Sequence, residues 1–402
     1  MNASISTWFR SLLFLAALLG MALSTRAEDV LWTTYSNAGQ KAYAAGHHAE
    51  AEKLFLAALK VAEESGAQDS PLANSLNNLA VLYAAQGKYD QAEPLYKRSL
   101  AIREKVWGAV HPDVANSLNN LALLDAAQGK YDQAEPLFKR SLAIWEKALG
   151  AEHPAVATIL NNLAGLYDTQ AKYDQAEPLY QRSLAILEKS LGAEHPDVAN
   201  SLNNLAGLYY AQAKYDQAEP LLKRSLAILE KSWGAEHPYV ANSLNNLASL
   251  YRVQGKYDQA EPLFKRSLAI QENVWGAEHP DVATSLNNLA SLYYAEAKYD
   301  QAEPLYQRSL AIREKSLGAK HPAVATSLNN LAELYETQAK YNQAEPLIKR
   351  SLAIREKSLG ADHPDVAQSL ENYAVLLKAT HRDAEAERLL ARAKAIREKN
   401  RK

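Results

Sequence analysis

One interval governs this chain. His-Pro pairs stand 42 residues apart, at His111-Pro112, His153-Pro154, His195-Pro196, His237-Pro238, His279-Pro280, His321-Pro322 and His363-Pro364. Asn-Asn pairs recur in the same phase, from Asn77-Asn78 and Asn119-Asn120 to Asn329-Asn330. A fixed period of this size describes a stack of small supersecondary units. Function then belongs on a surface that repeats, not in one enzyme pocket.

The unit from Pro112 to Ala151 holds two helical segments. In the first, Leu118, Leu121, Ala122 and position 125 keep the i, i+3, i+4, i+7 spacing of an amphipathic helix. Pro112 suits the first helical position, and Asp113 favours the positive end of the helix dipole. The segment stops near Gly129-Lys130. The second is expected to start at Asp132-Gln133-Ala134-Glu135, a capping box with Asp132 as the cap and Pro136 in the first turn. Ala134, Leu137, Phe138, Ser141 and Ile144 form its apolar stripe, and Gly150 ends it. Each unit is thus an antiparallel helix pair.

These residues carry a resemblance. Leu76, Leu79, Ala80, Tyr83, Gly87, Tyr89, Ala92, Tyr96 and Ser99 fall where the tetratricopeptide repeat places its packing residues. The string His-Pro-Asp-Val-Ala-Asn-Ser-Leu-Asn-Asn-Leu-Ala at 111–122 and the 42-residue period resemble the kinesin-light-chain-like subfamily. The resemblance implies an all-α, right-handed α-solenoid of about nine antiparallel helix pairs. The segments are then 28–64, a divergent N-terminal repeat; 65–364, seven near-identical repeats; and 365–402, a C-terminal capping repeat. Asp125 stands where other copies have Tyr, which should weaken packing in that unit. The N-terminal coiled coil of kinesin light chains is absent from the pattern, so motor assembly is not implied.

Residues 1–27 differ from the rest. Arg10 precedes an apolar run from Leu12 to Leu23, and Thr25-Arg26-Ala27 offers small residues for cleavage before Glu28. The run is short for a bilayer span, which needs about 20 residues. A cleaved signal peptide is expected, with export to the periplasm or medium of a bacterial cell and no membrane association afterwards; the alternative is an uncleaved anchor. The formal charge of −2 gives no support for nucleic acid as a partner. The sequence has no cysteine, which excludes thiol redox chemistry and zinc-thiolate sites.

In tetratricopeptide stacks the first helix of each pair lines the concave groove. On a helical wheel Asn74, Asn77, Asn78, Val81 and Ala85 lie opposite the packing face. Asn119, Asn161, Asn203, Asn245, Asn287 and Asn329 therefore form a ladder, and the following asparagines form a second. An amide offers two donors and an acceptor, which matches the backbone of an extended peptide. The alternative is that one Asn of each pair bonds a neighbouring helix and fixes repeat geometry.

Two groove positions vary while their surroundings do not. One reads Val81, Leu123, Gly165, Gly207, Ser249, Ser291 and Glu333; the other reads Ala84, Ala126, Asp168, Tyr210, Arg252, Tyr294 and Glu336. Small residues beside Tyr210, Arg252 and Tyr294 place the expected ligand site in units five to seven, since aromatic and Arg groups anchor binding sites. Drift at solvent-facing positions would give the same pattern.

The linker histidines belong to successive units, about 10 Å apart, beyond a shared coordination sphere. They are expected to shape helix entry, with no metal and no cofactor. Lys-Arg steps such as Lys97-Arg98 and Lys265-Arg266 are expected to pair with nearby acids on the outer side, as Glu93 does with Lys97. Trp107, Leu149, Leu191, Trp233 and Trp275 are expected to pack between repeats. No phosphate loop, nucleophile elbow or His-Glu-x-x-His pairing occurs. The expected function is a non-catalytic scaffold or adaptor holding an extended peptide or a partner's helix. The rivals are an accessory subunit that presents substrate to a separately encoded exported enzyme, and a structural array that self-associates.

Overall fold

A computed structural model describes residues 29–65 and 70–400. The signal-peptide reading of residues 1–27 lies outside them. The described residues form eighteen helices and no strand, an α-solenoid of helix pairs. The first pair is α1 (29–44) and α2 (His48–Glu64). Then come α3 (Ser70–Ala85), α4 (Tyr89–Trp107), α5 (Pro112–Ala127), α6 (Tyr131–Leu149), α7 (Pro154–Thr169) and α8 (Tyr173–Leu191). They are followed by α9 (Pro196–Ala211), α10 (Tyr215–Trp233), α11 (Pro238–Val253), α12 (Tyr257–Trp275) and α13 (Pro280–Ala295). The last are α14 (Tyr299–Leu317), α15 (Pro322–Thr337), α16 (Tyr341–Leu359), α17 (Pro364–Ala379) and α18 (Asp383–Lys399). None of these helices is long and apolar enough to cross a membrane.

The chain divides into two compact units, one reaching to residue 85 and including 90–117, the other comprising 86–89 and 118–402. In the first, Ala62, Leu72, Ala73, Leu76 and Ile102 form a core against which Trp32, Leu59 and Leu95 pack. Trp32 Nε1 donates to Ser75 Oγ at 2.7 Å, so the one polar atom of the indole is satisfied. In the second unit a continuous row runs through Phe138, Tyr167, Leu205, Phe264, Leu289 and Tyr335 to Tyr373. A parallel row includes Val156, Leu160, Ile186, Leu202 and Leu244.

Small residues set the distance within each pair. Buried Ser183, Ser225, Ser267, Ser309 and Ser351 donate to the carbonyls of Ala157, Ala199, Ala241, Ala283 and Ala325. These bonds satisfy hydroxyls whose burial would otherwise be unfavourable. Tyrosines join successive pairs. Tyr167, Tyr209, Tyr293 and Tyr335 lie buried and donate to Glu135, Glu177, Glu261 and Glu303 of the preceding pair. At the corresponding place Asp125 is 4% exposed.

The linker histidines open the first helix of their pairs. His153 Nδ1 accepts from the Ala155 amide at 3.1 Å, and His111, His195, His237, His279, His321 and His363 cap in the same way. The adjacent Pro takes the first helical position, where no N–H is needed.

Two local expectations need correction. Helix α6 starts at Tyr131 with Lys130 as its cap, and no side chain closes that cap. Asp132 therefore sits inside the first turn, where its charge favours the dipole. Glu135 turns instead to Lys139 and Tyr167, at 2.6 and 3.0 Å. Pro136 lies inside the helix, beyond the first turn, and opposite the Asp132 carbonyl it supplies no N–H.

Candidate binding face

The two asparagine rows differ in depth. In the first, Asn245, Asn287 and Asn329 are 6%, 9% and 8% exposed, while Asn119, Asn161 and Asn203 are half-buried. In the second, Asn204 and Asn246 are exposed. The first row runs along the seam between neighbouring first helices. Asn119 Oδ1 accepts from Asn162 Nδ2 at 2.8 Å, and Asn287 Oδ1 accepts from Asn330 Nδ2 at 2.9 Å. Asn245 Nδ2 donates across the seam to Ser285 Oγ at 2.8 Å. The Oδ1 atoms of Asn161, Asn203, Asn245 and Asn329 are buried and accept no bond. Unfilled acceptors thus line the seam, and exposed amides stand beside them at Asn204 and Asn246.

Tyr210, Arg252 and Tyr294 are half-buried on α9, α11 and α13. Each tyrosine leans on the first residue of the following helix: the Tyr210–Tyr215 and Tyr294–Tyr299 rings stand 5.9 Å apart. The Tyr294 hydroxyl is 2.8 Å from Thr337 Oγ1, and burial raises its pKa. Ser291 and Tyr306 share a hydrogen bond of 2.9 Å. Burial pushes the Tyr306 hydroxyl up to about 12, with Arg252 pulling in the other direction. Arg252, Ser291, Tyr294 and Tyr306 therefore form one local group.

A second feature lies further along the chain. Asn329, Asn330, Glu333 and Glu336 of α15 line a recess of about 510 Å³ with Ile348 and Arg355 of α16 and Gln368, Asn372 and Val375 of α17. Burial, and next the charge of Glu333, hold the Glu336 carboxyl up at about 7. Both acids stand at the two variable groove positions. Their signal in the sequence is that one unit turns acidic at both.

The outer side is laced by ion pairs. Lys139, Lys223 and Lys265 bind the Glu four residues back at 2.6–2.7 Å. The Arg of each step reaches the preceding pair instead, as in Arg224–Glu188 and Arg266–Glu230 at 2.7 and 2.8 Å. Exposed pairs of this kind contribute little each.

The residues before the linker glycines do not pack between repeats as expected. Trp107, Trp233 and Trp275 are 47%, 50% and 40% exposed, and Leu149 and Leu191 are exposed too. Each Trp stacks on the His four residues later, with ring centroids 5.0–5.2 Å apart. The imidazole covers one indole face, and about half of each side chain stays in water.

Models of the tetratricopeptide repeat match residues 31–105, 113–189, 170–231, 239–315, 281–357 and 324–399, and a second such model matches 77–148. A comparison with curated proteins finds no match. Among solved structures, the chain is similar to kinesin light chain nearly identical TPR-like repeats from Podosopora anserina. Identity there is 31%, over 51% of this chain and 98% of that one, with a TM-score of 0.43. A Rap protein complexed with Competence and Sporulation Factor matches at 15% identity, over 81% of this chain and 98% of its own, with a TM-score of 0.54. The apo form of RapI matches at 17%, over 71% and 98%, with a TM-score of 0.52.

Proposed function

From the premise that the chain belongs to the tetratricopeptide repeat family, in its kinesin-light-chain-like branch, we propose that it is a protein-interaction scaffold whose first-helix face holds an extended peptide. The repeats support the coarser part, a scaffold, and no catalytic family is indicated. For the finer part, the observation that carries it is the seam of amides. Asn204 and Asn246 offer exposed amides next to the unfilled oxygens of Asn161, Asn203 and Asn245. A peptide backbone carries the complementary N–H and C=O groups. Tyr210, Arg252 and Tyr294 flank this line and would supply the side-chain contacts that select a sequence. The signal-like N-terminal segment supports export, and an exported scaffold would meet its partner in the periplasm or outside the cell.

The test is a pull-down from exported material, comparing the parent with two variants. One changes Asn203, Asn245 and Asn287 to Ala; the other changes only the exposed Asn204 and Asn246. Circular dichroism checks that all three fold alike. Partners lost from the second variant support binding on the groove face, because Asn204 and Asn246 are exposed amides of that face. Partner lists unchanged in both variants would refute the groove reading.

A further inference from the structure

The recess between α15 and α17 is built differently from the rest of the face. At its two variable positions, earlier units carry Gly165 with Asp168, Gly207 with Tyr210, Ser249 with Arg252, and Ser291 with Tyr294. Here they carry Glu333 and Glu336, spaced three apart and so on one side of the helix. Like charges at that spacing destabilise a helix. A carboxylate pair held together in a recess is therefore an unfavourable arrangement when nothing is bound.

A second observation points to what would relieve it. Asn329 is 8% exposed and lines the recess, yet its Oδ1 accepts no hydrogen bond. Glu336 Oε1 is likewise buried without a partner. The basic side chain of the wall, Arg355, turns one of its nitrogens away: its Nη1 donates to the Asp365 carbonyl and to Ser369 Oγ, at 3.1 and 2.8 Å. On the opposite wall Gln368 Nε2 donates to Asn372 Oδ1 at 2.9 Å, and Gln368 Oε1 accepts from Arg397 Nη2 at 3.3 Å. The recess thus offers acceptors and negative charge, and Val375, 61% exposed, adds an apolar rim.

We propose that this recess receives an arginine side chain of the bound peptide, its guanidinium meeting Glu336, Glu333 and Asn329 and its stem lying on Val375. A guanidinium is the matching group because its five N–H donors lie in one rigid plane. Lysine would present a strongly hydrated point charge to the same oxygens. The assignment rests on the groove reading above and adds the chemistry of one ligand residue.

Titration calorimetry of the full chain at about pH 8, where Glu336 is largely ionised, tests it with the peptide Ac-Gly-Arg-Gly-NH2. The neutral isostere is the same peptide with citrulline. The arginine peptide should bind about tenfold or more tighter than the citrulline peptide, as expected for a charge-assisted bond. Glu336→Gln should remove that preference while leaving the circular dichroism spectrum unchanged. Equal affinity for the two peptides, no measurable binding of either, or a preference that survives Glu336→Gln would overturn the assignment. The pull-down partners separate this from the groove reading. If Glu336→Gln retains them at full strength while the Asn204 and Asn246 variant loses them, the arginine pocket fails and the groove stands.

Discussion

Arg313 Nη1 donates to Ser327 Oγ at 2.9 Å, whereas in the repeat where Leu229 takes the place of that arginine, Ser243 Oγ is buried with no partner. The same division runs along the chain. Arg103, Gln271 and Arg355 serve Ser117, Ser285 and Ser369, while beside Leu187 the hydroxyl of Ser201 is left alone. Ile159 replaces the serine in one repeat; in the others the serine is kept and its partner changes, so its energetic worth changes from repeat to repeat.

Ser243→Ala and Ser201→Ala should therefore leave stability unchanged or raise it slightly, because each removes an unsatisfied hydroxyl. Ser327→Ala should cost about 1–2 kcal/mol, since it takes an acceptor from a buried guanidinium. Urea unfolding of the full chain followed by circular dichroism measures both. Equal losses in the two classes would show that the Arg313–Ser327 bond contributes nothing.

The turn glycines make a similar contrast. Gly129 has φ +69° and Gly255 φ +72°, both in the left-handed region. The corresponding turns elsewhere hold Ala171, Ala213, Ala297 and Ala339 at φ +55 to +56°, so the backbone alone does not demand glycine. What differs is the space above. A Cβ on Gly129 would lie 2.9 Å from His363 Cδ2, whereas one on Gly255 would meet nothing within 4 Å. Gly255→Ala should cost about 1–2 kcal/mol, the cost of a left-handed backbone for an L-residue. Gly129→Ala should cost distinctly more, because the imidazole and its turn must shift. Melting curves of the two variants decide it, and equal midpoints would mean that His363 yields freely.

His363 also supplies a pH dependence. Burial lowers its pKa, Arg355 pushes the same way and Asp365 opposes them. Its Nδ1 accepts from the Asp365 amide, so the capping form is the neutral one. Between the lowered folded value and the ordinary 6.5, the unfolded chain binds the extra proton. Stability is then full above the ordinary value and falls as pH drops toward the folded one. His363→Asn keeps an acceptor at the cap, a role asparagine fills well, and removes the titration. Denaturation at about pH 8 and about pH 5 should show a smaller loss in the variant than in the parent. An unchanged loss would assign the pH dependence to other groups.

Much of this was legible in the sequence, because the repeat multiplies each signal. The His-Pro pairs marked helix starts, since a proline in the first position and a side-chain acceptor before it satisfy the same unpaired donors wherever they occur. Asp132 misled because an acid followed three residues later by Glu fits a capping box equally well inside a first turn. Only the backbone at Lys130 decides between the two. The tryptophans misled because they stack on the imidazole of their own linker, and among the described residues of the next helices a ring contact is seen only from Tyr239, edge-on to Trp233. A helical wheel put both asparagines of a pair on the open face. It treats the helix as alone, and the width of the neighbour decides that Asn245 is buried and Asn246 exposed. Glu333 and Glu336 stood in the variable columns, but the closure of their recess by α17 depends on packing that no column shows.

Glu336 gives the last test, and it needs no ligand. Its carboxyl sits at about 7, raised first by burial and then by the charge of Glu333. A carboxylate raised in the folded state binds its proton more tightly there than in the unfolded chain. Its contribution to stability is therefore present at low pH and is lost as pH rises from 4.5 through about 7. Because the group is partly open to solvent, that loss is discounted to about 1 kcal/mol. Glu336→Gln should abolish it, so the variant should gain on the parent at about pH 8 and show little difference at about pH 4. Glu333→Gln should move the Glu336 midpoint downward without returning it to 4.5, because burial, the larger cause, remains. Carbon-detected NMR titration of the Glu carboxyls reads both midpoints directly. A Glu336 midpoint near 4.5 in the parent would mean that water reaches the carboxyl freely and that the recess is open.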